Sequence, residues 1–221
     1  MDLDRRKGSA VVSDKKFLQK NLSWLIPLAI IVLIGFILFS WTKGSYNGLV
    51  MAEEPISEAW GNVETEYQSR TDKVSVIAKI VKNAANFERQ TLTDVIEARS
   101  KATSIQLDVK DLTPENMAKF EAAQAQLTGA LSRLMVTVER YPELKATDAF
   151  RDFQAQYEGI ENRIAKARRD FNKAIKPYNI KVKRFPTNII ADYYEFEEKA
   201  YFKANEGAEN APADIDLGFE N

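Results

Sequence analysis

Cysteine and histidine are both absent from the 221 residues. Without thiols the chain makes no disulfide and offers no thiolate to a metal. Without imidazole it lacks the commonest transition-metal ligand and the usual general base at neutral pH. Cysteine is also the strongest common nucleophile, so that route is closed. Glycine is sparse, at 9 residues, and no glycine-rich phosphate loop occurs. Ser–Lys or paired-carboxylate chemistry survives this elimination, but no spacing singles out such a set. The expectation is a protein without enzymatic activity, cofactor or metal. An excess of positive charge is lacking too. The 31 Lys+Arg stand against 32 Asp+Glu, which leaves no broad field for nucleic acid.

What the chain has is an abundance of helix formers (Ala, Glu, Lys, Gln, Leu) and one long uncharged run. Residues 22–41 (LSWLIPLAIIVLIGFILFSW) carry no charge. As a helix they cover about 30 Å, the thickness of a bilayer's hydrocarbon core. Lys20 and Lys43 bracket the run, and Trp24 and Trp41 lie near its ends, where indoles favour the membrane interface. A cleaved signal peptide has a shorter apolar core and a small-residue cleavage site. Phe39, Trp41 and the following Thr42-Lys43-Gly44-Ser45-Tyr46 supply no such site. A core helix of this length would carry some polar residues. The run therefore reads as a retained single-pass anchor. Pro27 falls in its first turns, where few backbone bonds are lost.

Flanking charge sets the expected orientation. Residues 1–21 hold Arg5, Arg6, Lys7, Lys15, Lys16 and Lys20 against Asp2, Asp4 and Asp14. Residues 42–58 hold Lys43 as the sole base, with Glu53, Glu54 and Glu58. Positive segments stay inside, so the N-terminus is expected in the cytoplasm and the rest of the chain beyond the cell membrane.

After the anchor, apolar residues recur at alternating spacings of three and four. One series runs Tyr46, Leu49, Glu53, Ile56, Trp60, Val63, Tyr67, Arg70 and continues in register through Val74, Ile77, Val81, Ala84, Glu88, Thr91, Val95, Ala98, Ala102 and Ile105. A second links Met117, Phe120, Gln124, Leu127, Leu131, Leu134, Val138 and Tyr141. A third runs from Phe150 through Tyr157, Ile164, Phe171 and Tyr178 to Phe185. Such stripes belong to helices packed at shallow angles.

Thr113-Pro114-Glu115 reads as a cap, a first-turn proline and a favourably placed acid. Tyr141-Pro142 closes that helix, Thr147-Asp148 opens the next, and Phe185-Pro186 ends it. Pro177 removes one backbone bond within the last long helix and is expected to kink it. An unbroken helix over 46–105 would span about 90 Å, far more than the roughly 42 and 54 Å of the other two. A break near Arg70–Asp72 would even the lengths. The expected fold is all-α: a transmembrane helix, then an antiparallel four-helix bundle over residues 42–205 with a short C-terminal helix. The alternative is three helices with a long stalk. Residues 206–221 hold five acids and no base and are expected to be a disordered tail.

Glu53, Arg70, Glu88 and Gln124 interrupt apolar stripes. The plain reading is a solvated stripe edge, or an Arg70–Glu88 pair fixing helix register. The sharper one is a buried polar network, or a carboxylate metal site of the kind that normally also needs histidine. Residues 163–184 contain nine bases and one acid, Asp170. Arg163, Lys166, Arg168, Arg169 and Lys173 are candidates for an anionic surface. The competing reading is neutralisation by residues 188–221, which carry nine acids and two bases. Asn162, Asn172 and Asn179 lie in or beside a helical stripe that disfavours asparagine, and are expected to bond across helices or to loop backbone. Trp60, Tyr193, Tyr194 and Phe196 are candidate partner contacts, against the plainer view that they complete the core.

Several short motifs occur in a telling order: Tyr46-Asn47-x-Leu49-Val50, Ala59-Trp60, Ala98-Arg99, Tyr141-Pro142-x-Leu144, Glu161-Asn162-Arg163-Ile164-Ala165, Phe171-Asn172, Tyr178-Asn179, Phe185-Pro186 and Tyr201-Phe202. In this order the chain resembles the LemA family from the anchor to about residue 203. The resemblance implies a bacterial protein with one N-terminal membrane helix and an antiparallel helical bundle. It implies no reaction and carries over no catalytic residue. One stretch departs. The family usually has paired arginines followed by Asp-Leu-Ile-Pro-Asn-Leu-Val, whereas Ser69-Arg70-Thr71-Asp72-Lys73-Val74 lacks one arginine and the proline. The functional expectation is a membrane-anchored envelope protein acting as an interaction or adaptor module with a protein partner. An envelope hydrolase or metal-dependent enzyme, and a lipid-surface module, are the alternatives.

Overall fold

The computed structural model describes residues 3–84 and 87–203, with side chains from Trp24 onward. All regular structure among the described residues is helical. Helix α1 spans Leu3–Lys82, 80 residues without interruption, and is about 120 Å long. The remaining helices are α2 (Arg89–Ser104), α3 (Pro114–Val138), the short α4 (Pro142–Lys145), α5 (Asp148–Lys183) and α6 (Thr187–Tyr193). A single 3-10 turn, Val109–Asp111, lies between α2 and α3.

The apolar run and the first helix of the domain are thus one helix. In the run the side chains face outward. Trp24, Ile31, Phe36 and Phe39 are all more than half exposed. Beyond Trp41 the character of α1 changes. Leu49, Ile56, Trp60, Val63, Tyr67, Val74, Ile77 and Val81 form a buried stripe, as their spacing requires.

That stripe is covered chiefly by α5, which runs the opposite way. Lys181 Nζ donates to the Gly48 carbonyl at 2.8 Å, Arg163 Nε meets Glu66 at 2.9 Å, and Arg70 meets Glu161 at 3.4 Å. As one number rises the other falls. Helix α2 descends beside α1, with Arg99 Nε donating to the Thr71 carbonyl at 2.9 Å, and packs against α3.

The expected break at Arg70–Asp72 does not occur. Arg70 and Thr71 are 2% and 3% exposed and have partners on other helices, so the chain gains nothing by opening there. The turn comes after Lys82 instead, where Asn83 and Ala84 bond back to Ile80 and Val81. The apolar register that seemed to continue through Ala84 and Glu88 is therefore two helices separated by a reversal.

The caps lie where the residues place them. Thr113 Oγ1 accepts from Asn116 N at 3.3 Å and Thr147 Oγ1 from Phe150 N at 3.2 Å. Helix α5 runs through Pro177. The short C-terminal helix is α6. It stops at Tyr193, and Glu195, with φ of 59°, turns the chain into an irregular strap over residues 196–203. The acidic tail, 206–221, lies outside the described residues.

Candidate functional site

The buried interior falls into two apolar clusters. One, nearer the apolar run, gathers Leu49, Trp60, Phe120, Phe171, Tyr178 and Phe202. The other gathers Val74, Ile77, Leu127, Leu134, Phe150 and Phe153. A polar layer lies between them on α1 and α3. The Arg70 guanidinium donates to the Gln124 side-chain oxygen, to Thr128 Oγ1 at 3.1 Å and to Glu161 at 3.4 Å. Gln124 in turn donates to the Ala102 carbonyl at 3.4 Å. Arg70 also lies 4.8 Å from the Tyr67 ring centroid. Two of the four stripe interruptions, Arg70 and Gln124, form a buried network, whereas Glu53 and Glu88 stay at the solvated edge. Arg70 does not pair with Glu88, which instead meets Arg140 at the surface at 2.7 Å. Glu53 meets Lys199 at 3.2 Å. Burial pushes the phenols of Tyr67 and Tyr157 above their ordinary range, and Glu161 adds to the effect at Tyr157.

The strap is held by two asparagines seven residues apart on α5, hence on one face. Asn179 donates to the Lys199 carbonyl at 2.8 Å and accepts from Lys199 N at 2.9 Å. Asn172 does the same to Phe202, at 2.9 Å in both directions. Each side-chain amide thus substitutes for the neighbouring strand the strap lacks. From the other side Ala200 N donates to the Leu112 carbonyl at 2.9 Å. Phe202 enters a cage of Trp60, Phe120 and Phe171, with the Arg168 guanidinium 4.8 Å above its ring. Lys199 is 7% exposed, spans to Glu53 and lies against Tyr178. The expectation of asparagines bonding to loop backbone holds at Asn172 and Asn179.

The candidate contact aromatics separate. Trp60 is buried, and its indole N–H donates to the Leu107 carbonyl at 2.7 Å. Phe196 is partly buried and sits with Tyr194 against Tyr46. Tyr193 faces outward. The basic run is largely paired within the fold: Arg163 to Glu66, Lys166 and Lys173 to Asp170, and Arg168 to Glu121. The two lysines hold the Asp170 carboxyl below its usual range. Most of these partners lie on α1, α3 and α5 itself. The C-terminal residues contribute Glu198 to Lys183.

Two of the hollows large enough for a small molecule border the first apolar cluster. One, of about 720 Å³, lies between α1, the α2–α3 connection and α3, lined in part by Glu64, Gln68 and Asp108. The other, of about 740 Å³, lies beside Tyr46, Glu53, Tyr178 and Tyr194. Among the described residues no group of three or more carboxylates is placed to hold a metal.

The role of Arg99, which ties α2 to α1 by one backbone carbonyl, was not read from the sequence. Its place beside Ala98 in a short motif was the available signal. The buried Lys199 was equally hidden, because an isolated lysine in an acidic segment looks solvated.

The LemA family profile matches residues 59–216. Magnetosome protein MamQ 2 of Paramagnetospirillum magneticum is 24% identical over 196 residues, covering 81% of this chain and 71% of that one. Protein LemA of Metamycoplasma hominis is 26% identical over 179 residues, covering 81% and 78%. Magnetosome protein MamQ of Magnetospirillum gryphiswaldense is 23% identical over 195 residues, covering 80% and 71%. With a profile match over well more than half its length, the chain belongs to the LemA family.

Proposed function

We propose that this protein is a non-catalytic interaction module held at a bacterial cell membrane by the apolar part of α1. In this reading residues 1–21 lie in the cytoplasm and the helical domain, working as an antiparallel four-helix bundle, lies outside it. The observation that carries the reading is the continuity of α1. One helix presents an exposed apolar stretch and then, without a break, becomes a core helix of the domain. A helix with that exposed stretch suits lipid, and its unbroken run into the core restricts the attitude of the domain to it.

The domain's polar interior supports a structural role. Arg70, Gln124, Asn172, Asn179 and Lys199 are all engaged with other parts of the chain, with the Arg70 Nε alone among that guanidinium's nitrogens lacking a partner among the described residues. The first five candidate bases of the α5 run fare similarly, with four of the five in ion pairs, which weighs against an extended anionic-surface role for that face.

Three measurements test the reading. Protease added outside intact spheroplasts is expected to digest the domain, and full protection would overturn the orientation. Photo-crosslinkers spread over exposed helix positions of the full chain in native membranes are expected to yield a discrete protein adduct. Hydrolysis of an ester, peptide or phosphate substrate by the purified full chain, lost on substitution of residues lining either hollow, would overturn the non-catalytic assignment.

A further inference from the structure

We propose that the corner between α5 and α6 is a second membrane contact, in which Phe185, Ile189 and Tyr193 lie in the interfacial layer of the leaflet from which α1 emerges. The inference rests on the bilayer-spanning reading of the apolar part of α1.

Three large side chains, four residues apart, are 75%, 53% and 78% exposed. Ile189 and Tyr193 share one face of α6, and Phe185 precedes them at its entrance. The opposite face, Ile190 and Ala191, is buried in the core. The outward set is therefore not the edge of the core but a separate apolar surface.

Its height above the bilayer follows from the register of α1. Lys181 is tied to the Gly48 carbonyl at 2.8 Å. From Lys181 the helix runs on antiparallel to α1 to Lys183, about 3 Å nearer the apolar run, and the extended Arg184 then leads out of it into Phe185. On the other flank the Tyr194 ring lies 4.8 Å from that of Tyr46. Tyr46 is five residues past Trp41, or about 7.5 Å along the helix. Trp41 itself packs on the domain's core, so no gap separates domain and apolar run. The headgroup layer of one leaflet is about 5–8 Å thick, and interfacial helices sink their apolar faces about 5–10 Å. The corner thus stands at the depth where such a face is covered.

The charge beside it agrees. Arg184 is exposed and makes no ion pair among the described residues, whereas Lys183 is engaged by Glu198 at 2.6 Å. An arginine next to an inserted phenylalanine matches the order of acyl boundary and phosphate in a leaflet. The nearby acids Asp192 and Glu195 line the hollow beside Tyr46.

The absence of cysteine makes the test direct. Single variants Phe185→Cys, Ile189→Cys and Tyr193→Cys are labelled with an environment-sensitive fluorophore in the full chain. The chain is reconstituted in vesicles of phosphatidylethanolamine and phosphatidylglycerol carrying a headgroup-level nitroxide lipid. Ile34→Cys in the apolar run and Val136→Cys, 71% exposed at the far end of α3, are the references. The expected result is blue-shifted emission, lipid quenching and protection from aqueous iodide at 185, 189 and 193, with Val136→Cys fully open to iodide. Iodide quenching equal to that of Val136→Cys would overturn the proposal. So would protection from iodide without lipid quenching, which means that a protein or a second copy covers the face. If Ile34→Cys is also quenched by iodide, it is the spanning reading itself that has failed. If Ile34→Cys is protected and the corner is not, only the second contact is lost.

Discussion

The side chain of Asn179 pairs with both backbone groups of Lys199, donating at 2.8 Å and accepting at 2.9 Å. All four groups are buried, so water cannot replace either bond. Asn179→Ala strands the Lys199 N–H and carbonyl and is expected to cost about 2–4 kcal/mol. Urea unfolding of the full chain in detergent measures this. Amide exchange adds a local readout: protection at Lys199 and Ala200 is expected to fall before that of the α1 stripe. Equal loss everywhere would mean that the strap is not an independently released unit.

The polar layer makes an ordering prediction. Gln124→Leu removes an oxygen facing a guanidinium that is 2% exposed, and is expected to cost about 2–3 kcal/mol. Glu161→Gln removes a charge that is 35% exposed and 3.4 Å away, at a cost under about 1 kcal/mol. Unfolding midpoints that reverse this order would show that Arg70 depends on its carboxylate instead of on Gln124.

Tyr178 is fully buried, and its hydroxyl has no hydrogen-bond partner among the described residues. Tyr178→Phe is therefore expected to leave stability at pH 7 unchanged or raise it by up to about 1 kcal/mol. Burial, with Glu53 and Glu197 nearby, pushes this phenol well above its ordinary value of 10.0. A raised folded value means that its contribution is intact below about pH 10 and is lost as pH rises toward the folded value. The parent protein is expected to lose stability on that alkaline limb, and Tyr178→Phe to lose it less steeply. Parallel limbs in pH-dependent unfolding would reject the assignment.

Trp60 tests core against contact. Its ring meets Phe120, Phe171 and Phe202 within 6.2 Å between centroids. Trp60→Ala is expected to cost about 3–5 kcal/mol by leaving a cavity, while Tyr193→Ala shifts the unfolding midpoint little. A small loss at Trp60 would return it to the candidate contact residues.

A flexible glycine-serine insertion between Lys43 and Gly44 separates the apolar run from the domain. Unfolding of the domain is expected to change by under about 1 kcal/mol, since the inserted residues bury nothing. Lipid quenching of a label at Tyr193 is expected to disappear. Quenching that persists would mean that the corner finds the bilayer without help from a rigid α1.

The sequence made some of this legible and hid the rest for physical reasons. Apolar spacing found the buried stripe from Leu49 to Val81, because a helix face must be apolar wherever it is covered. Thr113 and Thr147 were legible as caps because an orphan N–H needs a local acceptor. The reversal after Lys82 was not, since a stripe that resumes in phase looks the same whether the helix continues or folds back. The expected break at Arg70–Asp72 rested on evening the helix lengths, and nothing local shows that Arg70 instead meets Gln124 and Thr128, more than fifty positions away. The asparagines signalled bonding but not their target, because the strap has no periodicity of its own. Trp60 and Tyr193 are both aromatic, and residue type alone cannot separate the buried one from the exposed one.

The continuity of α1 also makes the protein a lever. From Trp41 to Lys82 the helix extends about 60 Å, and its foot is set by how the apolar run sits in its surroundings. A bilayer thinner than the run makes the helix lean. Unbroken apart from the one backbone bond that Pro55 cannot make, α1 would in the spanning reading carry its far tip sideways by about 11 Å for a change of about 10° at the foot. In the proposed spanning arrangement, membrane thickness is thereby converted into the position of the domain's distal end.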